Sequence, residues 1–325
     1  MNGCATERPL FSVIIPLEFH RGHWDRCLLM WQAQTLAKSQ FEVILVMPPD
    51  FPAGAREKLL LLLSERDRVE YSDEIHDIGL CAVGAAVARG AFLFFTESHC
   101  WPEPDVLEKC LKRFKRERDL AAFSCQSIPI THNRLSEAEA DMYQSETEFG
   151  MKVHPWRKIL DACFVTRRSS YEKSGGFSPK LGHFSEWALA ANYFALGYKV
   201  GYEPDARVYH YYIGNLAELR KFTRDFVTGE CRFLSRRSSE PGGYLIDMPP
   251  EWICQGSWDS RLARSLLRIA MQNWLGKSKD GPMKIVARWL LPAIVGIRGA
   301  RAVAALQVIW TFAGVVPISC VRMLP

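Results

Sequence analysis

Three short segments in the first hundred residues are apolar at nearly every position, without polar alternation: Phe11 to Pro16 (FSVIIP), Phe41 to Met47 (FEVILVM) and Ala91 to Thr96 (AFLFFT). A strand with one wet face alternates apolar and polar residues, so a run without alternation has both faces covered. Helical patterns separate these runs. Trp24 to Gln34 places Trp24, Cys27, Leu28 and Trp31 at helical spacing, Ala55 to Arg66 is leucine-rich, and Gly79 to Arg89 is rich in small residues. Buried strands joined through helices imply a parallel sheet with helices on both faces. The fold class expected is therefore α/β: a Rossmann-like, mostly parallel sheet sandwiched by helices, although no G-x-G-x-x-G turn is present.

Further along, Pro104 to Lys115 reads as a helix, Leu120 to Gln126 and Asp161 to Thr166 as strands, and Glu186 to Leu196 as a helix after Gly175-Gly176. Short strands are expected at Lys199 to Tyr202 and Arg207 to Tyr209, and helices at Leu216 to Arg236 and Asp259 to Leu275. The polar stretch from Ser127 to Lys158 carries no clear period. A hydrophobic fraction of 48% supports a large core and argues against disorder. The ten cysteines include no C-x-x-C pair, which points to reduced, buried thiols. Met1 to Pro9 lacks the charged-then-apolar layout of a secretory leader, so a cytoplasmic location is expected.

Charge divides the chain. From Ser260 onward ten basic residues face a single acid, Asp280, so the tail holds nine net positive charges while the whole chain carries only +5. The body is therefore net acidic. Within that tail, Ile285 to Ile297 and Ala302 to Ile318 are apolar, with Arg298, Gly299 and Arg301 between them. Each is shorter than the roughly 20 residues of a spanning helix. Amphipathic helices lying on an anionic membrane surface are the expectation, weighed against core helices of a second domain. Nucleic acid is not an expected partner, because the basic residues are interleaved with apolar ones.

The chemistry centres on Thr96-Glu97-Ser98-His99, which leaves the carboxyl end of the strand AFLFFT. Ligands of open α/β sheets bind at that end of the strands. A carboxylate and an imidazole two residues apart can both face one hard cation that bridges a diphosphate. On spacing alone, a plain loop carboxylate and loop histidine are the commoner outcome.

The wider pattern resembles family 2 glycosyltransferases of the GT-A fold, from about Phe11 to Tyr212. FSVIIP and FEVILVM look like that family's first two strands. Ile78-Gly79-Leu80-Cys81-Ala82-Val83-Gly84-Ala85-Ala86 with Ala88-Arg89-Gly90 looks like its G-x-x-x-A-x-N-x-G…A-x-G helix. The family's D-x-D falls on Glu97-Ser98-His99, an E-x-H similar to the D-x-H of polypeptide N-acetylgalactosaminyltransferases. Gly175-Gly176-Phe177 looks like its G-G-F loop, and its E-D pair falls on Ser185-Glu186. Pro204-Asp205-Ala206-Arg207-Val208-Tyr209-His210 looks like the stretch that closes its catalytic domain.

The resemblance implies a divalent cation, Mn or Mg, on Glu97, His99 and His210, and Glu186 as catalytic base. Pro16, Glu18, Asp77, Gly79, Ser98, Gly175 and Gly176 would bind a nucleoside-diphosphate sugar, UDP-linked by expectation. The enzyme would be an inverting transferase, residues 1–235 its catalytic domain and 236–325 a helical, membrane-associating region. The acceptor would be a lipid-linked or cell-surface glycan, and the protein would be peripheral on the inner face of the cell membrane.

Several departures stand. The V-D-D-G-S aspartates are missing and Asp50 is displaced, which keeps open a catalytically silent donor-binding or scaffolding protein. A nucleotidyltransferase would need a glycine-rich basic loop where Leu17-Glu18-Phe19-His20 stands. His20, Arg21 and His23 are weighed between phosphate contact and a solvated loop. Trp156, Tyr209, Tyr211 and Tyr212 are weighed between sugar stacking and core, and Arg236 and Arg237 between phosphate and plain exposure.

Overall fold

The computed structural model describes residues 8–18, 20–153, 156, 159 and 162–247. The parallel half forms as the apolar runs predict. Strands β1 (Phe11–Pro16), β2 (Phe41–Met47), β3 (Arg68–Tyr71) and β4 (Phe92–Thr96) pair in parallel, with β1 between β2 and β4. Helices α1 (Trp24–Gln32), α2 (Ala53–Leu60) and α3 (Asp77–Val87) connect them. Alternate residues of these strands feed two separate cores, as the two-residue period of a strand requires. Val13, Leu45 and Phe94 pack with Trp31 on one face. Ile14, Val46 and Phe95 pack with Leu80 on the other.

The remaining strands are β5 (Cys100–Pro102), β6 (Leu120–Ile130), β7 (Cys163–Arg167) and β8 (Lys199–Tyr211). One eight-stranded sheet results, in the order β3-β2-β1-β4-β7-β6-β8-β5. It is mixed: β6 and β8 run parallel, whereas β7 is antiparallel to β4 and β6, and β5 is antiparallel to β8. Helices α4 (Val106–Arg116), α5 (Arg134–Val153), α6 (Arg168–Lys173), α7 (Ser185–Ala195), α8 (Leu216–Arg236) and α9 (Gly243–Asp247) complete the described chain.

Two stretches differ from the reading of the sequence. The two strands expected around Pro204 are one strand, β8, because a register shift absorbs the interruption: Cys125 pairs with Glu203, and the next residue, Gln126, with Arg207. Arg113 and Arg116 of α4 hold the Glu203 carboxylate there at 3.3 Å each. The unread polar stretch continues β6 to Ile130 and then forms α5. Its start is set by a reciprocal pair, Ser136 N donating to Asn133 Oδ1 and Asn133 N donating to Ser136 Oγ, both at 2.9 Å.

Gly90 and Gly176 are among the glycines that close approach requires. A Cβ on Gly90 would lie 2.6 Å from the Ser12 nitrogen, so the turn from α3 into β4 tolerates no side chain. Gly176 has φ +62°, and a Cβ there would strike the Tyr171 ring at 2.8 Å.

From residue 236 to 247 the chain stays on the body. Gly242 N donates to Asn192 Oδ1 of α7 at 2.9 Å, and Asn192 Nδ2 donates to Glu240 at 3.3 Å. The expected helix Asp259 to Leu275 and both apolar tail segments lie outside the described residues. Among the described residues, no helix is long and apolar enough to cross a membrane. Cys27, Cys81, Cys100, Cys110, Cys125 and Cys163 are buried free thiols.

Candidate functional site

The chain reverses sharply at the carboxyl end of β4. Cys100 N donates to Glu97 O at 2.9 Å, closing a turn over Glu97-Ser98-His99 that leads directly into β5. The three residues of β5 then pair with the far end of β8, Cys100 opposite His210, and Tyr211 N donates to His99 O at 3.2 Å. Local turn and long-range pairing together bring His99 to His210 across 111 residues of sequence.

The result is a compact triangle. His99 Nε2 and His210 Nε2 are 3.2 Å apart, and each lies 3.3 Å from Glu97 Oε2. His99 is 1% exposed and His210 9%. The rings are braced by aromatics: Tyr212 stacks on His210 at 4.4 Å, and Tyr143 of α5 meets it edge-on at 6.0 Å. Cys100 joins the group, its Sγ 3.7 Å from Glu97 Oε2.

Two imidazole nitrogens and a carboxylate oxygen this close together fit a shared cation. Ligands about 2.1 Å from an ion stand about 3.0 Å apart in octahedral and about 3.4 Å apart in tetrahedral geometry, and the observed edges fall between. The mixed nitrogen and oxygen donors match a divalent ion that also takes phosphate oxygens.

A second group forms at the ends of β1 and α3. Asp77 N donates to Glu18 Oε2 at 2.6 Å, and Lys221 of α8 donates to Glu18 Oε1. Burial outweighs the help from Lys221 and raises the Glu18 carboxyl above its ordinary range. Asp77 is itself 3% exposed at the start of α3. Two of the residues expected to bind a donor therefore meet. Between Glu18 and Tyr211 opens a cleft of about 560 Å³, also lined by Arg21, His132, Asn215 and Glu218.

The other expected residues are placed as follows. Pro16 ends β1 in the core, paired with Val46. Ser98 is buried in the turn of the triangle, and its hydroxyl makes no hydrogen bond among the described residues. A Cβ on Gly79 would lie 2.6 Å from Glu74 Oε2. Gly175 and Gly176 stop α6, with Gly176 N donating to Tyr171 O at 3.0 Å, and Phe177 packs on Phe95 at 4.9 Å. Glu186 is partly buried in the first turn of α7, where a carboxylate is favoured by the helix dipole. Asp50 is exposed.

Among the residues left open between two readings, Tyr212 is core at 1% exposure, and Trp156 is buried at 6% with its ring 6.3 Å from that of Trp187. Tyr211 is partly exposed, with His132 stacked on it at 4.3 Å. Arg236 donates to Ser178 Oγ at 3.4 Å.

Arg21 is not in a solvated loop. Its side chain is 12% exposed, with Nε 2.5 Å from Glu218 Oε1 and Nη1 2.5 Å from Tyr211 O. Burial works against its charge, but the carboxylates of Glu218, Glu97 and Glu139 more than offset that and raise its pKa. Glu139 accepts from Ile213 N at 2.7 Å, and burial pushes its carboxyl up to about 7. The sequence reading passed over both Glu139 and Glu218, since Glu139 lies in the polar stretch without a clear period and Glu218 among ordinary helix-surface acids.

Comparison with known proteins agrees with the fold. Residues 78–175 match the model of glycosyl transferase family 2, a span running from α3 through the Glu97 turn to Gly175. The mannosyltransferase PcManGT from Pyrobaculum calidifontis, solved with GDP-Man and Mn2+, superposes with a TM-score of 0.60 at 15% identity, covering 94% of this chain and 86% of that one. S. aureus TarS 1–349 in complex with UDP-GlcNAc superposes with a TM-score of 0.51 at 12% identity, covering 93% of this chain and 89% of that one. A search of curated proteins gives no match. Matched segment and shared fold agree: the chain has the GT-A fold. The segment that carries the Glu97 turn is of the family 2 type.

Proposed function

We propose that the protein is an inverting glycosyltransferase that moves a sugar from a nucleoside diphosphate, UDP by preference, to an acceptor hydroxyl. The observation that carries this is the triangle of Glu97, His99 and His210 at the carboxyl end of β4. A divalent cation, Mn or Mg, held there would neutralise charge on the departing diphosphate.

The chain's own groups do the rest. Glu18, on the wall of the cleft, and Asp77, whose N–H it accepts at the small-residue start of α3, are assigned to the nucleotide, with Gly79 leaving no Cβ against Glu74. Gly175 and Gly176 let the backbone approach the donor sugar closely. Glu186 takes the proton from the acceptor hydroxyl as the new bond forms, and inversion needs no second, nucleophilic carboxylate. PcManGT and TarS were solved with sugar nucleotides, one of them with Mn2+, which favours the same donor class here.

The acceptor we assign is a lipid-linked or cell-surface glycan, reached from the cytoplasmic face with the basic apolar region 236–325 against an anionic membrane. That part rests on the tail's charge and apolar segments. A silent, scaffolding role fits less well, because the converging histidines and Glu97 have no evident structural use that simpler residues would not serve.

The test is donor binding and hydrolysis across UDP-, GDP- and dTDP-sugars, with Mn2+, Mg2+ or chelator, on wild type, His99→Ala and Glu186→Gln. Metal-dependent turnover of one donor is expected, with binding weakened in His99→Ala and turnover alone lost in Glu186→Gln. No binding of any donor would sink the proposal.

A further inference from the structure

Arg21 stands out among the groups around the cleft. It follows β1 by five residues and is the only non-glycine among the described residues in the left-handed region, at φ +47°. A side chain there strains the backbone, and such strain persists where the surroundings hold the residue in place. The surroundings do hold it. Glu218 in the first turn of α8 and the carbonyl of Tyr211 grip Nε and Nη1, each at 2.5 Å. A guanidinium has five N–H donors. Nη2 makes no hydrogen bond with any described residue, while the side chain still opens on the cleft.

Position gives this leftover capacity its meaning. Tyr211, whose carbonyl it holds, directly follows His210 of the triangle, and Arg21 interacts electrostatically with Glu97. The other basic groups of the cleft do not compete for an anion. Burial moves His20 and His132 below the ordinary imidazole range, and Lys221 is engaged with Glu18. A fixed, planar, permanently charged fork is suited to phosphate oxygens.

We infer that Arg21 is a phosphate-binding residue: held by Glu218 and the Tyr211 carbonyl, it presents its remaining donors to the diphosphate of the sugar nucleotide beside the Glu97–His99–His210 triangle. This rests on the donor class proposed above. Glu218 is then a positioning residue that acts through Arg21.

The experiment is titration calorimetry on the full chain with Mn2+ present. UDP, GDP and dTDP are compared with their nucleosides, and inorganic pyrophosphate is included. Arg21→Met, Arg21→Lys and Glu218→Gln are run beside wild type, with Mn2+ affinity and melting recorded for each. A charged hydrogen bond to phosphate predicts that Arg21→Met weakens the diphosphate and pyrophosphate about 10- to 100-fold while the nucleoside changes little. Arg21→Lys should recover part of that loss, and Mn2+ binding should persist. A merely structural arginine would weaken nucleoside and diphosphate together. If Arg21→Met does not fold, Arg21→Lys carries the test. An unchanged ratio of diphosphate to nucleoside affinity in whichever variant folds overturns the inference and leaves the donor reading intact. Failure of wild type to bind any nucleoside diphosphate overturns both.

Discussion

Two carboxylates, one buried and one partly buried, sit at opposite ends of the parallel half of the sheet, and their surroundings differ in kind. Glu42, at the amino end of β2, is 0% exposed. It accepts from Ser12 Oγ at 2.6 Å, from Arg89 N and Nε at 2.8 Å and from Arg89 Nη2 at 2.5 Å, with Arg68 Nε at 3.6 Å. Glu97, at the carboxyl end of β4, faces two imidazole nitrogens at 3.3 Å and a thiol at 3.7 Å. The first carboxylate has its cations built in, and nothing more can bind. The second is surrounded by groups that are themselves metal ligands. A satisfied buried charge serves the fold, whereas a cluster of converging ligand atoms has the make-up of a site for a cation brought from outside.

The contrast is sharpest if each end is broken separately. Glu42→Ala would strand two arginines and the Ser12 hydroxyl, and should cost about 3–5 kcal/mol in urea unfolding while leaving Mn2+ affinity unchanged. An equal loss of Mn2+ binding would mean that the two ends are not independent.

Glu139 supplies the next effect, at the triangle's end of the molecule. Unfolded, its carboxyl loses a proton near 4.5, whereas in the folded protein it keeps it to about 7. The native state therefore binds more protons between those values, and stability falls as pH rises through that window. Glu139→Gln in chelator should remove up to about 3 kcal/mol of that decline between pH 5 and pH 8. An unaltered pH profile would show that Glu139 is not the group responsible.

Mn2+ tests the Glu97 end directly. At a hundredfold excess over its dissociation constant, a specific ion should stabilise wild type by about 2.7 kcal/mol. His99→Ala should lose that increment, and the same ion should do nothing for a protein whose triangle is broken. Equal stabilisation of both proteins would place the ion elsewhere.

The smallest effect concerns the wall of the cleft. Asn215 caps α8, its Oδ1 accepting from Glu218 N at 2.9 Å. Asn215→Ala should cost about 1 kcal/mol of stability and should loosen the Glu218 grip on Arg21 without touching the Glu42 end.

How much of this was legible in the chain depends on range. Unbroken apolar runs place β1, β2 and β4, because a strand buried on both faces has no polar alternation to show. The E-x-H turn was visible because both its ligands come from three consecutive residues. β5 was not, since three residues carry no period, and β8 read as two strands because Pro204 and Asp205 look like a break where the sheet has a bulge. Glu42 lay in plain sight inside FEVILVM, yet its partners Ser12 and Arg89 come from 30 and 47 residues away.

The sequence by itself determined the layered α/β plan, the carboxyl end of the sheet as the place of the E-x-H turn, and the residue types of the triangle, because periodicity and short motifs are local properties. Only the tertiary structure decided that His210 meets His99, that Glu18 meets Asp77, and that Arg21 is gripped by Glu218 across 197 residues. Those meetings are set by strand order and by the pairing of β5 with β8, which bring together groups whose separation in the chain says nothing of their distance in space.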